Sequence, residues 1–88
     1  MPRYFFDVHT EALEKDDQGH ELPAIDVAHV AAAELAGELL RNHPENILLG
    51  DEWKVEVRDE SGAVLFSLLM LSVPSAALAP TTIAGDPA

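Results

Sequence analysis

Cysteine is absent from the 88 residues, which excludes disulfides, thiolate metal sites and a cysteine nucleophile and leaves the redox compartment unmarked. Basic residues are scarce: five Lys and Arg stand against sixteen Asp and Glu, a formal charge of -11. Such a surface repels a phosphate backbone and releases no counterions from it, so DNA and RNA are poor partners, whereas a basic protein surface or a divalent cation is suited to it. Long apolar runs are also missing. The longest, Ala63 to Val73, is broken by Ser67 and Ser72 and reaches about half of the ~20 residues that a membrane-spanning helix needs. The start, Met1-Pro-Arg-Tyr-Phe-Phe-Asp7, has no apolar run of signal-peptide length before acidic residues intervene. These absences predict a cytoplasmic protein with no membrane and no nucleic-acid partner.

Catalytic signatures are lacking as well. No Gly-x-Ser-x-Gly and no phosphate-cradling glycine loop occurs, and Ser61, Ser67 and Ser72 fall in a turn, a strand and the tail. The expectation is a non-enzyme without a cofactor.

What the chain does contain is strong local patterning. Trp53 to Arg58 alternates, with Trp53, Val55 and Val57 on one face and Lys54, Glu56 and Arg58 on the other. Asp59-Glu-Ser-Gly62 then supplies a turn, and Ala63 to Phe66 begins the return strand, so the segment reads as a β-hairpin. Arg3 to His9 alternates similarly, with Tyr4, Phe6 and Val8 against Arg3, Phe5, Asp7 and His9. Thr10 to Gln18 is polar and predicts a loop, and Gly19 to Leu22, ended by Pro23, predicts a short second strand. Asp26 occupies an N-cap position before Val27 to Asn42, which is rich in Ala, Leu and Glu and forms the one helix. Its core stripe is Ala28, Ala32, Leu35, Ala36 and Leu39, and His43-Pro44 ends it. The predicted fold is α+β, in the order β-β-α-β-β: two layers, one mostly antiparallel sheet with a single helix on one face. Residues 1–73 form this single domain, with Trp53 and Phe66 as core anchors against Leu35 and Leu39. The Pro- and Ala-rich residues 74–88 are expected to form a flexible tail.

One helix covers one face of a sheet. Phe5, Leu65 and Leu69 are expected on the other face, and Val27 and Val30 beside the core stripe, so these five are the candidate interface residues. A protein partner, with a homodimer foremost, is expected to cover them. For a metal or acid–base site the candidates are His9, His20 and Asp17, with Asp16 and His29 nearby in sequence, because antiparallel pairing of the first two strands would let His9 approach His20. Such residues also serve plain solvation and turn formation.

Several segments together carry a family resemblance: Met1-Pro-Arg-Tyr-Phe-Phe6, Gly19-His-Glu-Leu-Pro23, the helix with Leu35-Ala-Gly-Glu-Leu-Leu40, and Trp53 to Phe66 with its Asp-Glu-Ser-Gly turn. Over residues 1 to about 70 the chain resembles a family of short acidic alphaproteobacterial proteins, especially of rhizobial groups, classed as a domain of unknown function. The resemblance implies a soluble bacterial protein of the four-strand, one-helix kind, and it carries over no activity, cofactor or catalytic residue. A looser similarity, in element order alone, is to antitoxins of the HicB type. Three functions thus stand open at this point: a small interaction or regulatory module acting by protein binding, an antitoxin-like inhibitor of a basic partner, and a metal-binding protein or metal-dependent enzyme using His9 and His20.

Overall fold

The computed structural model describes residues 1–48 and 50–77. The strands are β1 (Arg3–His9), β2 (Leu13–Glu14), β3 (His20–Glu21), β4 (Glu52–Arg58) and β5 (Val64–Leu71), with one helix, α1 (Ile25–Asn42), and a 3-10 turn over Pro44–Asn46. All pair antiparallel in the order β2-β1-β4-β5, and β3 pairs with β1 beyond β2. The α+β arrangement is therefore as the periodicities predict, with one strand more: the polar segment after His9 is not simply a loop but folds back as β2, placing Glu14 beside Val8. The predicted flexible tail lies largely outside the described residues.

Alternation places Tyr4, Phe6, Val55 and Val57 on the helix side, where Val55 and Val57 are wholly buried. Above them α1 presents Ala28, Ala32 and Ala36, each four residues from the next and each buried. Methyl side chains let the helix backbone come close to the sheet; Leu35, Leu39, Phe66, Leu68 and Met70 fill the periphery and are only partly buried. Trp53 is buried as predicted, yet it lies outside this cluster, against a small cavity shared with Thr10 and Leu48. Phe66 is half-buried and meets the His29 ring, centroids 5.1 Å apart. The helix also starts earlier than the sequence suggests: Ala24 is the N-cap, without a side-chain cap bond, and Asp26 lies inside the first turn, where its charge faces the helix dipole favourably.

β5 breaks register once. Phe66 pairs with Val57 but Val64 pairs with Arg58, leaving Leu65 as the extra residue of a β-bulge. The bulge moves Val64 to the face away from the helix, where strict alternation would have kept it with Phe66.

Candidate functional site

The two edges of this sheet are finished in opposite ways, and that contrast defines the candidate site. Beyond β1 the edge is closed along its length. β2 covers Val8 and His9, β3 covers Arg3 and Tyr4, and between them the Phe6 N–H donates to Asp16 Oδ2 at 3.1 Å. Asp16 is held for this by its own turn, its Oδ1 accepting the N–H groups of Gln18 at 3.1 Å and Gly19 at 3.0 Å. Gly19 has φ 73°, and its α-carbon sits so close to Arg3 and Phe5 that a Cβ would fall 2.9 Å from side-chain atoms of both.

A buried ion pair locks the closure. Asp7 is 2% exposed, and its carboxylate accepts from Arg58 Nε at 2.7 Å and from the Asp16 N–H at 2.9 Å. Arg58 Nη2 also donates to the Asp16 carbonyl at 2.7 Å, and the guanidinium lies 4.7 Å above the Phe5 ring. Burial by itself would raise both carboxyls. For Asp7 the Arg58 guanidinium and the Asp16 N–H outweigh it, and for Asp16 the N–H groups of Gly19, Phe6 and Gln18 do so, holding both below the ordinary aspartate range.

β5, at the other edge, is paired with β4 alone among the described residues. It is eight residues long, Val-Leu-Phe-Ser-Leu-Leu-Met-Leu, without a charge or a proline. Val64, Leu65, Leu69 and Leu71 are 53, 41, 52 and 56% exposed. The bulge turns Leu65 toward the helix, where Leu65 and Phe66 line an apolar groove of about 570 Å³ with Ile25, His29 and Val30.

The face of the sheet away from the helix needs no apolar cover over β1 and β4, because polar and charged side chains pave it: Asp7 pairs with Arg58, Lys54 pairs with Glu56 at 3.4 Å, and His9 Nε2 lies 3.5 Å from Glu56. The five predicted interface residues consequently divide. Phe5 is half-buried beneath Arg58, Leu69 stands on the outer face of β5, Leu65 and Val30 share the groove, and Val27 lies on the helix outside it. His9 and His20 are not brought together. His20 pairs with Tyr4 on the helix side, its ring 5.8 Å from Phe6, while His9 lies on the opposite face and farther along β1. Asp16 is occupied by backbone N–H groups, Asp17 is exposed, His29 stacks on Phe66, and no cluster of three or more His, Asp or Glu suited to a metal occurs among the described residues.

His20 instead rims a cleft of about 460 Å³ between α1 and β1, walled by Phe6, Val8, Leu22, Ala31 and Leu35. Sequence reasoning missed Asp7, Arg58 and the position of β5 as an outermost strand among the described residues. The signals available were an acid in the middle of an aromatic strand and an Asp three residues ahead of a glycine; nothing local reveals which strand ends up outermost.

A family model described as a domain of unknown function (DUF6894) matches residues 3–72, from the first residue of β1 to the residue after β5, and the chain belongs to that family. No curated protein and no solved structure matches the chain. No helix among the described residues is long and apolar enough to cross a membrane.

Proposed function

We propose that this is a cytoplasmic, non-catalytic interaction module that works by binding protein along the β5 side of its sheet. The observation that carries the reading is the unequal treatment of the two edges: β1 is sealed by two short strands, a carboxylate and a buried ion pair, while β5 presents eight uncharged residues with their outward N–H and C=O groups unpaired by any other strand among the described residues. Exposed edges are ordinarily blunted with lysine, proline, a bulge or a covering loop; the bulge of β5 is confined to its start at Leu65, and the regular run from Phe66 to Leu71 beyond it is free to accept an added strand. The adjoining groove of Ile25, Val30 and Leu65 offers side-chain pockets beside that edge.

The test compares capture from the native cell by the unaltered protein and by Leu69→Lys, which places a charge on the exposed face of β5. Proteins retained by the first and lost by the second support the reading. An identical set retained by both rejects it.

A further inference from the structure

We infer that the strand added at β5 is β5 of a second copy, so that two chains form one continuous antiparallel sheet about a two-fold axis. The inference rests on the protein-binding reading of this edge and names its partner. A strand added antiparallel to an identical strand is two-fold by construction and satisfies both edges at once.

Charge selects the same contact. Each chain carries -11, and among the described residues β5 is the one long strand without an ionisable residue, so two chains meeting there bring no like charges directly opposite each other. The Asp7–Arg58 and Lys54–Glu56 pairs stay inside each copy.

Alternation narrows the register. Directly opposed residues point to the same face, so a residue on the helix side must oppose another on the helix side, and the axis must pass through a residue pair rather than between pairs. Centring on Leu68 uses the regular stretch beyond the bulge: Leu68 opposes the partner's Leu68, Phe66 opposes the partner's Met70, and Ser67 opposes the partner's Leu69. Both helices then lie on one side of a ten-stranded sheet, and exposed Leu69 gains cover on the other.

Light scattering at several concentrations, in low and high salt, tests this on the full chain. The unaltered protein is expected to show twice the chain mass, with the dimer favoured by added salt as the mutual repulsion is screened. Leu69→Lys is expected to show the single-chain mass with an unchanged circular dichroism spectrum. Because the sequence has no cysteine, Leu68→Cys provides a second readout: mild oxidation is expected to link two chains, the axis having brought the two sulfurs together. A single-chain mass under every condition overturns the inference, as does a dimer that survives Leu69→Lys and fails to cross-link in the Leu68→Cys variant. A single-chain mass together with cellular capture abolished by Leu69→Lys removes the second copy while leaving protein binding at the edge in place.

Discussion

Replacing Asp7 by Asn removes a buried charge at nearly constant volume and strands Arg58 beside it. The substitution breaks the 2.7 Å pair with Arg58 Nε and turns an amide toward a group that can only donate. Deleting one member of a buried pair costs about 3–5 kcal/mol. Arg58 keeps its bond to the Asp16 carbonyl and an 18% exposed side chain, so the low end applies, about 3 kcal/mol. A domain of this size holds on the order of 4–10 kcal/mol in all, so the loss is a large part of the whole and corresponds to a fall of roughly 12–24 °C in Tm. Urea unfolding at neutral pH, read by circular dichroism and Trp53 fluorescence, measures it. The sign with pH is fixed by the direction of the shift. A carboxyl depressed in the folded state stabilises fully above its unfolded value of about 3.9 and ceases to do so as pH falls through the folded value. The difference between the two proteins should therefore be constant from about pH 5 to 8 and shrink below about pH 4. A loss under about 1 kcal/mol at neutral pH, or a difference that grows on acidification, would refute the account.

Gly19→Ala should lower the urea midpoint by the equivalent of about 1–3 kcal/mol, since the new methyl meets Arg3 and Phe5 at a positive φ. Gly37→Ala, in α1 with open space around it, should raise stability by about 0.5–1 kcal/mol in the same assay. Phe66→Ala should cost about 2–3 kcal/mol, less than a fully buried ring, because Phe66 is half-buried; calorimetry showing 5 kcal/mol or an unchanged midpoint would contradict its placement at the core's margin.

The parts of this fold that local periodicity controls were readable in advance. Trp53 to Arg58 and Arg3 to His9 take the faces their alternation assigns, and the alanine spacing of α1 marks its buried side. What was not readable depends on residues distant in sequence. Asp7 resembles an ordinary solvent-facing acid until the register is known that sets Arg58 opposite Phe5 and so diagonal to Asp7 on the neighbouring strand. Val64 and Leu65 carry no mark of the bulge that reverses one and turns the other toward the helix. The spacing of His9 and His20 suggested a shared site, but the register that pairs His20 with Tyr4 separates them by face as well as by length. That β5 pairs with β4 alone among the described residues is a property of strand order, which no single segment encodes.

The clasp over β1 also imposes an order of assembly. Its cation comes from Arg58, 51 residues beyond Asp7 and 42 beyond Asp16, so it is made only after the helix and its connection have emerged. Until β4 docks, the Asp7 side chain and the turn carrying Asp16 lack the positive charge that binds them, and two neighbouring carboxylates oppose closure. The early hairpins are therefore expected to close over β1 only once β4 has docked. Long loops of this kind slow folding more than they weaken the final state. Amide protection at Phe6 should accordingly arise together with that of β4, not ahead of it.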